Sequence, residues 1–167
     1  MPLTPFHLGP GLFFGMLAKR FFNLFAFLLG SVVMDFEPLI WLLITRCYSC
    51  PHHGFFHSIL GAVTGSAILA LILWLYRDKL SGLSQRLKIE QSFSFAVLFF
   101  SSLSAWLIHL FFDSLTHYDV FPFWPSHYNP LLLGRRIISA EHLIFVGLGL
   151  LGLAFVYRYY YKTIKTS

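Results

Sequence analysis

The sequence predicts an all-α fold, a polytopic helical membrane protein with about five membrane helices and one or two short or broken segments near the N-terminus. Hydrophobic residues make up 57% of the 167 residues, against roughly 45–50% in an ordinary soluble domain. Charged residues make up only 11%, and the mean hydropathy is +0.70. A soluble domain of this length cannot bury so much apolar surface. We therefore expect a single integral membrane domain over residues 1–167.

The first apolar runs are too short to cross a bilayer cleanly, which takes about 20 residues. Residues 7–18 are rich in Gly and Pro, and Lys19-Arg20 separates them from a second run over 21–34. We expect these two runs to form an antiparallel pair with its hinge at the basic dipeptide. A third short run, 39–45, follows an acidic stretch, and the region 39–56 would also fit a segment that re-enters the bilayer or lies on its surface.

The remainder of the chain contains three full spans. The first covers about 56–76, and the polar loop 77–90 separates it from the second, about 92–113. A long aromatic loop, 114–140, leads to the last span, 141–157, and a basic tail.

The basic residues predict the orientation of these spans. With the 77–90 loop and the tail in the cytoplasm, nine basic residues lie inside: Lys19, Arg20, Arg77, Lys79, Arg86, Lys88, Arg158, Lys162 and Lys165. Only Arg46, Arg135 and Arg136 lie outside. Because Lys and Arg accumulate in cytoplasmic loops, we expect a cell-membrane protein with a cytoplasmic C-terminus. The net charge of +5 then reflects topology, and no nucleic-acid partner is expected.

Histidine and carboxylate residues converge on the other membrane face. In this layout all eight histidines lie there, and so do five acidic residues: Asp35, Glu37, Asp113, Asp119 and Glu141. Ionisable residues at membrane depth are costly and mark functional sites. His109 and Asp113 are four residues apart and share a helix face, and His53 and His57 have the same spacing. Imidazole with carboxylate suits Zn²⁺, Mn²⁺ or Fe²⁺, and the number of residues allows one or two ions.

Several of these polar residues also have ordinary structural interpretations. Glu141 would complement the dipole of a helix first turn. His127 and His142 would serve as helix caps or interface anchors, and His117 and Asp119 as loop polar groups.

Other motifs leave similar choices open. Cys47 and Cys50 next to the His pair resemble half a zinc knuckle, and they equally fit a small disulfide on an outward loop. Arg135 and Arg136 either lie at the interface or bind an anionic substrate.

Four sequence blocks contain most of these histidines and acidic residues: T-P-F-H-L-G at 4–9, M-D-F-E-P at 34–38, H-H-G-F-F-H-S at 52–58 and H-L-F-F-D-S-L-T at 109–116. Together they resemble the YdjM-like family of predicted membrane-bound metal-dependent hydrolases. An aromatic P-F-W-P stretch follows at 122–125. The third and fourth blocks resemble the family patterns H-R-G-x-T-H-S and H-x-x-x-D-x-x-T.

The resemblance implies six metal ligands: His7, Asp35, His52, His57, His109 and Asp113. The chain departs from the family pattern at Met34, at Glu37, which lengthens a carboxylate side chain, at His53, which replaces an Arg, and at Phe56, which replaces a Thr.

The order of these residues is also similar to that of zinc-dependent phospholipase C, an all-helical enzyme with clustered metals. His117 or His127, followed by His142 and Glu141, would stand for its later ligands. Glu141 precedes His142 by one residue instead of following it by a turn. This similarity implies a lipid phosphoester as substrate.

Together these features predict a metal-dependent hydrolase with its site at the non-cytoplasmic membrane interface. A metal-bound water would be the nucleophile, Zn²⁺ is the expected ion, and an amphipathic lipid is the expected substrate. Glu37 or Glu141 would be the general base, His53, His117 and His142 additional ligands, and Trp124, Arg135 and Arg136 substrate contacts.

The alternatives are a metal-ion transporter or a metal-binding membrane protein without catalysis. Transport would need a second polar cluster deeper in the membrane, and the sequence offers only Asn23 and scattered hydroxyl groups. A haem carrier would favour fewer acids beside its histidines. Gly147, Gly149 and Gly152 on the last span would allow a homo-oligomer.

Overall fold

A computed structural model describes residues 4–47 and 50–165, and within these ranges the chain contains helices and loops but no strand. The α-helices in chain order are α1 (Leu8–Leu17), α2 (Leu24–Gly30), α3 (Phe36–Thr45), α4 (Ile59–Leu75), α5 (Arg77–Arg86), α6 (Phe95–Thr116) and α7 (Ile138–Lys165). Short 3₁₀ turns at Thr4–His7, Val33–Asp35, Phe55–His57 and Arg135–Ile137 precede α1, α3, α4 and α7.

Three helical segments among the described residues are long and apolar enough to cross a membrane: Leu24–Thr45, Phe95–Thr116 and Ile138–Thr163. A fourth span results if α4 and α5, which are bent by 75°, are counted as one. The expected count of about five is therefore slightly too high. Helix α1 has ten residues, about 15 Å of helix against a hydrocarbon core of about 30 Å. In addition, the expected runs 21–34 and 39–45 join through the turn at Val33–Asp35.

Helix α6 packs against both α2 and α4. Asn23 links the start of α2 to α6: its side-chain oxygen accepts from the Ala26 amide, and its own amide donates to Ser101 Oγ at 2.8 Å. Ser58 caps α4 in the same way by accepting from the Gly61 amide. Because these caps satisfy amides that a helix start leaves free, they fix where α2 and α4 begin.

Glycine permits the close approach of α1 and α7. A Cβ atom at Gly9 would lie 2.2 Å from the carbonyl oxygen of Phe145, and one at Gly152 would lie 2.9 Å from Leu12. Gly149 meets the Cα of Gly9, whereas nothing lies within 4 Å of a Cβ at Gly147. Two of the three glycines considered for oligomer formation thus pack within the chain, and the homo-oligomer stays a prediction.

The remaining segments add detail to the predicted layout. Residues 77–86 of the expected polar loop form helix α5, and the last helix is longer than the expected 141–157. Cys47 and Cys50 are joined in a disulfide. The loop after α6 is held to the helices by backbone hydrogen bonds from Ile59 to Pro122 and from Leu133 to Leu115. These bonds keep Asp119 next to the start of α4.

Candidate metal centre

His109 and Asp113 lie one turn apart on α6 and are both 2% exposed. The Nδ1 of His109 lies 2.7 Å from the backbone carbonyl oxygen of Ser31. Its Nε2 lies 3.1 Å from Asp113 Oδ2 and 3.2 Å from Asp35 Oδ1. The three side chains come from α6 and from the turn before α3, so packing of the N-terminal segment against α6 assembles this part of the site.

The hydrogen bond to Ser31 determines the chemistry of His109. A carbonyl oxygen only accepts, so Nδ1 must carry the hydrogen. In the neutral ring the Nε2 lone pair then faces two carboxylate oxygens, and three acceptors repel one another. The arrangement requires a proton or a metal cation among these atoms.

Three further imidazole rings approach Asp113. The Nε2 of His7 lies 3.5 Å from Oδ1, and the Nε2 atoms of His57 and His53 lie 3.5 Å and 3.9 Å from Oδ2. The rings of His7 and His109 are stacked with centroids 3.6 Å apart. Asp113 is thus surrounded by the Nε2 atoms of four histidines.

Two outer carboxylates bind the opposite nitrogen of two of these rings. Glu37 Oε2 lies 2.9 Å from His57 Nδ1 and accepts from the Gly54 amide, while its Oε1 accepts from the Phe56 amide. Asp119 Oδ2 lies 2.9 Å from His53 Nδ1. Metal-binding histidines commonly donate their other N–H to a carboxylate or carbonyl, which fixes the ring and leaves the free nitrogen for the ion. His53, His57 and His109 share this arrangement.

The ligand atoms form two groups, in each of which all atoms lie within 4.8 Å of one another. One group contains His7, Asp35, His109 and Asp113, and the other contains His53, Asp113 and His117. Because Asp113 belongs to both, a pair of ions would share its carboxylate.

Unsatisfied buried atoms show that the residues fit a cation. Asp35 Oδ2, Asp113 Oδ1 and His57 Nε2 are buried without a hydrogen-bond partner in the described structure. Buried polar atoms nearly always have a partner because leaving them unpaired is costly. Neutral imidazole and carboxylate suit Zn²⁺, Mn²⁺ or Fe²⁺, so the cluster can bind a metal ion, and its atoms alone do not identify which one.

Burial and neighbouring ionisable groups shift the pKa values of His7, His53 and Asp119 in different directions. Burial, together with the neighbouring His109, lowers the pKa of His7 to about 3, so its imidazole is neutral, which is the ligand form. Burial lowers the pKa of His53, but the hydrogen bond to Asp119 and the nearby Asp113 outweigh that effect and raise it overall. Burial raises the pKa of Asp119, but its hydrogen bonds to His53 and two amides lower it overall.

The remaining expected site residues take different positions. His52 is buried, but its backbone amide donates to Asp119 Oδ2 and its Nε2 has no hydrogen-bond partner in the described structure. His53, rather than His52, lies beside Asp113. Glu141 is 4% exposed and interacts electrostatically with Asp113. The ring of His142 packs against Phe6, away from both groups.

The expected substrate contacts lie at the edge of the molecule. Trp124 packs edge-on against Phe55 and is 41% exposed. Arg136 is exposed, and the side chain of Arg135 lies outside the described structure. His127, an alternative later ligand, packs against Phe121.

Sequence reasoning missed two contributors. The Ser31 carbonyl is a backbone group and leaves no signal in the sequence. Asp119 is one of the five acidic residues that the sequence places on one membrane face, but no motif indicates that it bonds to His53.

Comparison with known proteins gives a family but no closer relative. No curated protein and no solved structure matches the chain. The family model of the YdjM inner membrane protein matches residues 1–165. Because this match covers nearly the whole chain, and the apolar helices agree with it, the protein is an integral membrane protein that belongs to the YdjM inner membrane protein family.

Proposed function

We propose that this protein is a membrane-embedded metal-dependent hydrolase acting on a lipid phosphoester. The observation that supports it most directly is the pair of buried ligand groups that share Asp113. His7, Asp35, His109 and Asp113 would hold one ion, and His53 and His117 with Asp113 would hold a second. A divalent ion bound there supplies a Lewis acid that lowers the pKa of water toward ~7. Zn²⁺ is the first choice of ion, with Mn²⁺ or Fe²⁺ as alternatives.

The two candidate general bases, Glu37 and Glu141, have different roles in this proposal. Glu37 is occupied by His57 and two backbone amides, so it is a positioning residue. Glu141 is buried, and its carboxylate interacts with the Thr116 side chain and with Asp113. It makes none of the histidine and backbone contacts that hold Glu37, so Glu141 is the better candidate to accept a proton from water.

The proposed side of the membrane is the non-cytoplasmic one. The charge distribution favours it, and so does the disulfide between Cys47 and Cys50, because disulfides persist in oxidising compartments. A site at that interface suits an amphipathic substrate. Exposed Trp124 packs against Phe55, two residues before His57, and exposed Arg136 would offer a cation to an anionic headgroup.

The test combines metal analysis with hydrolysis. Protein purified in detergent is analysed by elemental mass spectrometry, and release of phosphate or headgroup is measured from phosphatidic acid and phosphatidylglycerol vesicles. We expect one or two equivalents of metal and metal-dependent turnover, both lost in His109→Ala/Asp113→Ala. His127→Ala, which alters a histidine outside both groups, is the matched control. Absence of metal after supplying Zn²⁺ and Mn²⁺ would refute the proposal.

One observation favours a second candidate function, metal binding without catalysis. Each member of the first ligand group is at most 9% exposed, and closed sites are typical of structural metals. In that case metal would be retained in the wild type and no lipid would be hydrolysed.

A further inference from the structure

An apolar cavity of about 370 Å³ lies between α3, α4 and α6. Its walls include Ile40 and Trp41 of α3, Ile68 and Ile72 of α4, and Trp106 of α6. The volume falls within the range of ligand sites, about 300–1,000 Å³. The ligand groups described above do not account for it.

One end of the cavity lies next to the histidine and carboxylate cluster. Two of its wall residues, Met34 and Phe56, immediately precede Asp35 and His57 in the chain. Glu37 also lines it, and the same carboxylate accepts from the Phe56 amide and bonds to His57. A molecule in the cavity therefore has one end beside the proposed reaction centre.

From there the cavity runs along the membrane-spanning part of the protein. Its α4 wall extends from Gly65 to Ile72, about 10 Å along the helix. Ile40 and Ile68 on its rim are 53% and 54% exposed. Since these side chains belong to apolar helices of a membrane protein, the cavity opens toward lipid.

Trp106 forms an apolar floor. Its Nε1 donates to the carbonyl oxygen of Phe56 at 3.0 Å, so the indole has no free donor to offer a ligand. A Cβ atom at Gly65 would lie 2.3 Å from the Trp106 ring. Only glycine at position 65 therefore leaves room for the Trp106 indole to pack against α4. Apart from Glu37 at the rim, the cavity therefore favours hydrocarbon over water.

We propose that this cavity binds one acyl chain of a membrane lipid and so positions that lipid's phosphoester at the metal centre. The second half of this statement rests on the proposed function, whereas binding of the chain does not. The occupant is an acyl chain because the cavity is apolar along its length, opens toward the bilayer and has at one end Glu37, whose carboxylate contacts His57 of the cluster.

The first test measures chain binding without activity. A variant with Trp106 as its only tryptophan (Trp41→Phe/Trp74→Phe/Trp124→Phe) is placed, metal-depleted, in phosphatidylcholine–phosphatidylglycerol nanodiscs with or without brominated acyl chains. We expect bromine to quench Trp106, which is 2% exposed. Filling the cavity with Ile68→Phe/Ile72→Phe should remove most of that quenching. Leu71→Phe/Leu75→Phe, which alters α4 residues outside the cavity, should leave it unchanged.

Each outcome of this test decides the proposal. Equal quenching in the filled and control variants overturns it, and so does absence of quenching in the unfilled protein. Cross-linking of residues 40 and 68 between two copies of the chain would identify the cavity as a protein interface and would also overturn it. Thermal unfolding of each variant confirms that the fold is retained.

A second test separates this proposal from the proposed function. If lipids are hydrolysed, Ile68→Phe/Ile72→Phe should lower turnover of long-chain substrates and spare short-chain ones. Quenching without hydrolysis of any lipid would refute the proposed function and leave the acyl-chain site standing. Hydrolysis with the same chain-length preference in both double variants would overturn the acyl-chain site alone.

Discussion

The Nε2 of His109 lies 3.1 Å from Asp113 Oδ2, while its Nδ1 is committed to the carbonyl oxygen of Ser31. This arrangement explains why the site favours a proton or a metal cation, because it directs the Nε2 lone pair of His109 at carboxylate oxygens. Asp113 is shared by both ligand groups. The charge state of the whole cluster therefore depends on what lies between these two residues.

The two ligand groups predict a stoichiometry that mutation can separate. His117→Ala removes a ligand from the second group only, and we expect it to lower bound metal from two equivalents to one. Asp113→Asn alters both groups and should remove both ions. Elemental mass spectrometry of purified protein measures these numbers, with His127→Ala as control. If His117→Ala leaves the metal content unchanged, the second group binds no ion.

Glu37 is predicted to act on metal affinity through His57, which belongs to neither ligand group but whose Nε2 lies 3.5 Å from Oδ2 of the shared Asp113. Glu37→Gln keeps the size of the side chain but removes the charge behind the His57 ring, and loss of such an outer partner typically weakens metal binding about 10–100-fold. Competition with a chelator measures the affinity. Glu90→Gln, in the α5–α6 connection, is the control. If Glu37→Gln keeps its metal affinity but loses hydrolytic turnover, Glu37 is the general base and not a positioning residue.

Local patterns were sufficient to predict part of this arrangement. The four-residue spacing of His109 and Asp113 places them on one helix face, and the alternating direction of the helices brings the N-terminal His7 to the same end of the molecule. Both inferences need only helix geometry.

The remaining features depend on contacts between distant segments. His53 rather than His52 lies beside Asp113 because Asp119, 66 residues further on, holds the His53 ring and both backbone amides. No pattern near residue 53 contains that information. The number of spans was overestimated for a similar reason. The turn at Val33–Asp35 joins α2 and α3 into one candidate span, whereas the acidic stretch divides the two apolar runs in the sequence.

Gly9 is predicted to be essential for the packing of α1 on α7. Gly9→Ala places a methyl group 2.2 Å from the Phe145 carbonyl oxygen, and overpacking of this kind costs about 1–3 kcal/mol. Because His7 is two residues away, metal affinity should fall as well. Thermal unfolding in detergent measures the loss. Gly147→Ala, where nothing lies within 4 Å, should unfold like the wild type, and equal stability of the two variants would contradict this account.

The interaction between Asp119 and His53 predicts a pH window for stability in metal-depleted protein. The pKa of Asp119 is lowered by folding, so its contribution is present above about pH 4, the ordinary carboxyl value, and is lost on acidification. The pKa of His53 is raised, so its contribution is complete below about pH 6.5 and is lost as the pH rises through the raised value.

Asp119→Asn should therefore lower the unfolding temperature most between about pH 4 and 6.5, and less on either side. Unfolding temperatures of both proteins across pH 3–9, measured in chelator, give the comparison. A difference that does not vary with pH would show that Asp119 acts through its amide contacts alone.

The proposed orientation predicts opposite labelling of the two ends of the molecule. In a background with Cys47→Ser/Cys50→Ser, a single cysteine is introduced by Tyr128→Cys or by Gly82→Cys. Tyr128 is 69% exposed, and nothing lies within 4 Å of a Cβ at Gly82, so both substitutions leave the packing intact. The labelling uses cells whose cytoplasmic membrane is intact and accessible to the reagent. A membrane-impermeant maleimide should label position 128 in these cells, and it should label position 82 only after the cytoplasmic membrane has been broken. The reverse pattern would place the metal centre in the cytoplasm, where the positive-inside distribution and the Cys47–Cys50 disulfide would both lack an explanation.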